Sequence, residues 1–196
     1  MLLSGSVVFL PVLDTYRIVT IAILGDSHLT DRDDTLPESF VTKIRDADHV
    51  IHTGDFESRS ALETIEDLAT DLTAVYGNAD PTDIDLPAVA SVAVGGVTFV
   101  VVHGIVNPVE RATGSSEGVV MNREDWLSAV ADTARTRTDE PRIGIGGHTH
   151  QVEDVVVDGV RVLNPGSATG VAPAEHPTMM TATVEDEEVD VTLHNG

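Results

Sequence analysis

Aspartate, asparagine and histidine recur along this chain in five short glycine-bearing segments. These are Gly25-Asp26-Ser27-His28, Gly54-Asp55, Gly77-Asn78-Ala79-Asp80, His103-Gly104 and Gly147-His148-Thr149-His150. Carboxylate, amide and imidazole together are a donor set for divalent cations. Alternate side chains of an extended segment share a face, so Asp26 and His28 can reach one ion together, and so can His148 and His150. Taken singly, each pair is also what a capping aspartate or a satisfied loop histidine looks like, because isolated short motifs are weak. Taken jointly, each after a strand-like run, the segments describe a two-cation site of the kind that cleaves phosphate esters. The remaining histidines act as an internal control. His52 lies inside a strand pattern and reads as structural or supporting, whereas His49, His176 and His194 belong to no cluster and are not assigned as ligands.

The elements that must position these groups change character halfway along the chain. Residues 17–24 are apolar and β-branched and read as a buried strand ending at Gly25. A short helix over 37–46, a strand over 48–53, a helix over 60–70 and a strand over 72–76 follow, with Leu62, Ile65 and Leu68 at helical spacing. Strand–helix–strand–helix–strand implies right-handed crossovers and parallel pairing, with functional groups just beyond the carboxyl ends of the strands. The second half reads as hairpins: 89–94 with 97–102 across Gly95-Gly96, 152–157 with 160–163 across Asp158-Gly159, and a third within 178–193. Between them lie a mobile loop over 108–119, an amphipathic helix over 123–136 carrying Trp126, Leu127 and Val130, and a strand over 142–145. No linker, repeat or low-complexity tract interrupts the chain. The expectation is an N-terminal extension over 1–16 and one domain over 17–196, built as two sheets packed face to face between helical layers.

Composition narrows the chemistry. A chain of 196 residues suits one domain with a sizeable core, and it contains no cysteine. Disulfides, thiolate metal sites and cysteine nucleophiles are therefore excluded. No apolar run is long enough to span a bilayer, and the apolar opening lacks the basic start and cleavage pattern of a signal peptide. A cytoplasmic location follows as the expectation.

The ordered motifs GDSH, GDF, GNAD, HG and GHTH resemble those of the calcineurin-like metallophosphoesterase superfamily, in particular its small single-domain bacterial and archaeal phosphodiesterases. Asn164-Pro165-Gly166-Ser167 resembles a loop common in that group. The resemblance implies a four-layer αββα sandwich of two mixed β-sheets flanked by helices, with a dimetal site at one rim. By that resemblance Asp26, His28, Asp55 and His150 hold the first metal, and Asp55, Asn78, His103 and His148 the second, with Asp55 bridging. Asp55, Asn78 and His103 are thereby placed in the catalytic centre, with Asp80, His52 and Ser167 in support. The cofactor expected is two divalent transition-metal ions, manganese first, with nickel, iron or zinc as substitutes. Such a pair, roughly 3.5–4 Å apart, shares an attacking hydroxide and one phosphoryl oxygen.

Two departures bear on function. Many relatives carry a histidine where this chain has Ala79, and that histidine can protonate the leaving group. Relatives also often carry a second histidine where this chain has Ile105. The expected reaction is hydrolysis of a small organic phosphate or nucleotide, as a phosphodiesterase or phosphatase. The alternative is a non-catalytic, metal-binding protein-interaction scaffold on the same fold.

Charge restricts the partners. Lys and Arg total 11 against 33 Asp and Glu, a formal charge of −22, and Lys43 is the only lysine. Nucleic acid is not expected, because its binding relies on basic groups that displace counterions. Neither is a membrane. An edge strand leaves room for a homodimer. The acidic, lysine-poor composition resembles that of haloarchaeal proteins. In molar salt the Debye length falls to roughly 3 Å, which screens this self-repulsion. The melting temperature is therefore expected to fall as KCl is removed, and a melt independent of salt would refute that.

Overall fold

The computed structural model describes residues 18–29, 35–104, 122–139 and 142–196. The anticipated extension over 1–16 and loop over 108–119 lie outside the described residues.

In one sheet are β1 (Val19–Leu24), β2 (His49–His52), β3 (Leu72–Ala74), β9 (Thr178–Glu185) and β10 (Glu188–Asn195). The other holds β4 (Val89–Val94), β5 (Val97–Val102), β6 (Arg142–Ile145), β7 (Val152–Val157) and β8 (Val160–Pro165). Strand orders are β10-β9-β1-β2-β3 and β4-β5-β6-β8-β7. The helices are α1 (Glu38–Asp46), α2 (Arg59–Leu68) and α3 (Arg123–Arg137).

Alternation along the strands builds three apolar layers. Ile21 and Ile23 point between the sheets, where they join Ile51, Phe99, Val101, Ile145 and Met180. Their neighbours Ala22 and Leu24 point the other way, onto Phe40, Ile44 and Ile65 of the first two helices. In β5, Phe99 and Val101 face inward while Val100 and Val102 pack on Trp126, Leu127 and Val130 of α3. A strand buried on both faces must be apolar throughout, which is why β1 and β5 read as continuous runs rather than as polar–apolar alternation. The result is the expected αββα sandwich of two mixed sheets.

Local chemistry sets the helices in place. The Ser58 hydroxyl accepts a 3.0 Å bond from Ala61 N at the start of α2, and the Asn122 side chain accepts one of 2.9 Å from Asp125 N at the start of α3. Glu124 and Asp125 occupy the first turn of α3 and Arg135 and Arg137 its last, both favourable to the helix dipole.

Two parallel registers bring the motifs together. Leu24 pairs with His52 across β1 and β2, so the segments beginning at Gly25 and Thr53 emerge side by side. Val101 pairs with Ile145 across β5 and β6, and Gly147 N then donates to His103 O at 2.8 Å. Both pairs end at the same rim of the sandwich. The third hairpin joins the first sheet, with β9 antiparallel to β1, so the parallel β1-β2-β3 unit is extended on one side. β3 ends at Ala74, two residues short of the expected strand, where Tyr76 N turns away to bond Pro87 O at 3.1 Å.

Candidate metal centre

The rim loops hold an unusual backbone. Nine described non-glycine residues have positive φ, and six of them lie here: Asp26 (47°), His28 (43°), Asp55 (60°), Glu57 (69°), His148 (70°) and His150 (54°). The other three, Asp158, Asp186 and Glu187, sit in hairpin turns. Left-handed backbone of this kind costs on the order of 1–3 kcal/mol per residue and persists where surrounding bonds dictate it.

Those bonds can be named. The Asp80 carboxylate accepts from four backbone N–H groups: Asp55 (3.0 Å) and Gly77 (2.7 Å) on one oxygen, Phe56 (2.7 Å) and Glu57 (2.9 Å) on the other. Burial pushes the Asp80 carboxyl above its usual range, and these donors oppose that shift. Ser167 Oγ donates to Asp26 O at 2.8 Å, and Thr169 Oγ1 to Ser27 O at 2.8 Å. Asn164 Nδ2 donates to Gly147 O at 3.2 Å and to Thr149 Oγ1 at 2.9 Å. The 164–169 segment thus ties the first motif to the last. Two glycines are required by close approach: a Cβ on Gly77 would lie 2.0 Å from Asp55 Oδ1, and one on Gly147 would lie 2.6 Å from Asp26 Oδ2.

His52 lies beneath this rim. It stacks on Phe56 with centroids 3.8 Å apart, accepts from Gly54 N at 3.1 Å on Nδ1, and lies 3.2 Å from Ser27 Oγ on Nε2. Burial lowers its pKa to about 3, so it stays neutral and serves the loops from behind.

Above it, Asp26, His28, Asp55 and His150 each bring one ligand atom within 4.8 Å of the others. The histidine protons are fixed by their outer partners. His28 Nδ1 meets Glu57 Oε1 at 2.5 Å, and an ionised carboxylate only accepts, so Nδ1 carries the hydrogen. His150 Nδ1 lies 3.0 Å from the carbonyls of both Val171 and Ala172, so it too must donate. The Nε2 atoms are the ones left to face the centre. They face each other at 3.2 Å, with Asp26 Oδ1 3.4 Å from His150 Nε2 and Asp55 Oδ2 3.7 Å from His28 Nε2.

A second set repeats the arrangement on the other side of Asp55. His103 Nδ1 donates to Thr53 O at 2.8 Å, which turns Nε2 toward Asn78 Oδ1 (3.0 Å) and Asp55 Oδ2 (3.3 Å). His148 Nδ1 lies 2.8 Å from the same Asn78 oxygen. Asp55 is itself held from behind by Ala79 N, 2.8 Å from Oδ1.

Acceptors gathered without hydrogens call for positive charge, and in this chain a proton answers. Burial on its own would depress His103, yet the Asp55 carboxylate raises it to about 9. Burial would likewise raise Asp55, but its contact with His103 holds it well below the carboxylate range. The donor types, the outward-turned N–H groups and this proton demand all fit divalent cations.

The structure therefore gathers at one rim all seven residues singled out as ligands, and sets Asp80, His52 and Ser167 behind them. His49, His176 and His194 lie elsewhere, bonded to Thr73, Asn195 and Thr181. Sequence reasoning missed Glu57. The rule of alternate residues that joined Asp26 to His28 also joins Asp55 to Glu57 and would have found it.

Comparison with known proteins points the same way. The family model of the calcineurin-like phosphoesterase superfamily domain matches residues 19–187. A probable metallophosphoesterase of Methanothermobacter thermautotrophicus is 28% identical over 174 residues, covering 88% of this chain and 90% of the relative. One from Methanocaldococcus jannaschii is 29% identical over 167 residues, covering 85% and 77%. Among solved structures, wild-type Vps29 from Entamoeba histolytica, complexed with zinc, aligns with a TM-score of 0.66 at 22% identity, over 90% of this chain and 98% of that one. A Thermotoga maritima protein solved by solution NMR gives 0.62 at 26% identity, over 91% and 99%.

Proposed function

The chain belongs to the calcineurin-like phosphoesterase superfamily, and on that premise we propose that it is a metal-dependent hydrolase of a small phosphorylated substrate. One observation carries the reading: imidazoles at the rim turn one nitrogen outward to a carboxylate or backbone carbonyl and the other inward onto shared carboxylate and amide oxygens. Asp26, His28, Asp55 and His150 would hold one divalent cation, and Asp55, Asn78, His103 and His148 a second. Bound there, the pair supplies an acidified water near neutral pH and offsets negative charge growing on the phosphoryl oxygens. The chain's own part is to keep the ligands in place. Ala79 N holds Asp55, Thr53 O holds His103, and the carbonyls of Val171 and Ala172 hold His150.

Manganese heads the expected ions, with nickel, iron and zinc suited to the same ligands. The substrate is a small organic phosphate or nucleotide. The acidic surface disfavours nucleic acid, and no described helix is long and apolar enough to cross a membrane.

The test is hydrolysis of bis(p-nitrophenyl) phosphate in high KCl, with and without Mn²⁺ after chelation. Turnover that depends on added Mn²⁺ supports the reading. A folded, Mn²⁺-loaded protein that leaves this ester and a monoester panel intact would hand the centre to the scaffold role.

Metal binding itself should depend on pH. At pH 7 His103, raised to about 9, keeps a proton that a cation must displace. Affinity should therefore rise with pH, by roughly tenfold per unit if one proton leaves, and level off above the His103 value. Mn²⁺ titrations at pH 7 and 8 check this, and equal affinities would refute it.

A further inference from the structure

We propose that Glu57 is a positioning residue that makes the Asp26–His28–Asp55–His150 set the tighter of the two cation sites, so that the centre fills in two steps. The proposal rests on the metal-dependent reading above. Glu57 Oε1 lies 2.5 Å from His28 Nδ1, and its side chain is about a quarter exposed, at 26%. It reaches that place from a left-handed backbone (φ 69°) whose N–H is held by Asp80 at 2.9 Å. The same Asp80 carboxylate holds the N–H of Asp55 at 3.0 Å. One buried anchor thus fixes both a direct ligand and the group behind another ligand.

A carboxylate on the far nitrogen of a histidine does two things. It fixes the tautomer that leaves the near nitrogen bare, and it increases the electron density that nitrogen offers. Two other histidines of the centre have, among the described residues, no carboxylate on that far nitrogen. His150 and His103 donate to neutral backbone carbonyls instead. Charge follows the same division. Asp26, Asp55 and Glu57 all serve the first set, whereas Asn78, His103 and His148 add no carboxylate to the second, which has only its share of Asp55. Equal affinity at two sites so differently charged would be a coincidence.

The experiment uses the full chain in high KCl and reads binding and tautomer rather than turnover. Mn²⁺ titration of the wild type by calorimetry should show two steps. Glu57→Gln, which keeps an acceptor but loses the charge, and Glu57→Ala, which loses both, should weaken the first step by roughly 10–100-fold, alanine more than glutamine. The second step should change little. In the metal-free protein, imidazole ¹⁵N correlation spectra should show His28 protonated on Nδ1, and that preference should weaken in Glu57→Ala. Metal-free melting curves matching the wild type would show that the variants fold.

Unchanged first-step affinity in both variants, or loss confined to the second step, would overturn the proposal. So would a His28 tautomer indifferent to Glu57. A wild type that binds no Mn²⁺ would overturn the functional reading itself, and the tautomer spectra would still decide whether Glu57 positions His28.

Discussion

Replacing Asp55 by Ala is expected to cut Mn²⁺-dependent hydrolysis of bis(p-nitrophenyl) phosphate by at least ~10³-fold. Removing a single well-placed electrostatic contact at a reacting phosphate or acyl group costs about 10²–10³-fold. Asp55 does more than supply one contact. Its Oδ2 lies 3.7 Å from His28 Nε2 and 3.3 Å from His103 Nε2, so it faces a histidine of each ligand set. Its loss removes a ligand from each set and leaves His103 buried without its charge partner, so that His103 is expected to fall from about 9. Glu at position 66 or 63, on the exposed side of α2, offers a control of equal charge change with no effect on turnover. Because a buried charge is being deleted, Asp55→Asn is the companion variant. The amide oxygen can still accept from Ala79 N, so the loop is expected to fold while turnover still collapses. Full activity in a folded Asp55→Asn protein would refute the assignment of Asp55 to the centre.

The sandwich could be read from the sequence because both faces of its central strands are buried. The unbroken apolar runs around Ile21 to Leu24 and Phe99 to Val102 leave little room for anything but strands between two layers. What could not be read was pairing between distant parts of the chain. Nothing near Thr178 announces that β9 will lie beside β1, more than 150 residues earlier in the chain. The site divides in the same way. Asp26, His28, His148 and His150 advertise themselves by local spacing. Asp80 is expected in support by the resemblance alone, and only the folded loops show how, with its carboxylate collecting four N–H groups from residues 55–57 and 77. The glycines of the motifs also understate the backbone. They signal tight turns, and Gly54 (98°) and Gly104 (135°) do take positive φ, but so do the aspartates and histidines beside them.

Leaving-group dependence should be steep, because no side chain at position 79 can donate a proton. An aryl leaving group such as p-nitrophenolate departs as a stable anion, whereas an alkoxide needs protonation as its bond breaks. A positioned general acid contributes typically 10²–10⁴-fold. The methyl group of Ala79 contributes nothing of the kind, and its backbone N–H is already committed to Asp55 Oδ1. Asp80, next along the chain, turns its carboxylate to four backbone N–H groups, one of Gly77 in its own loop and three of residues 55–57. The protein is therefore expected to hydrolyse an aryl diester at least ~10²-fold faster than an alkyl diester, beyond the ratio set by the same cations in solution. Ala79 is partly exposed, which leaves space for a longer side chain. Ala79→His should accordingly narrow the gap by raising the alkyl rate, with a much smaller effect on the aryl rate. Two results would refute this: equal wild-type rates on the two esters, or an Ala79→His protein that raises both rates alike. The first would mean that a proton donor exists elsewhere in the centre. The second would mean that the new histidine acts on binding or on the ligands, through steps both substrates share.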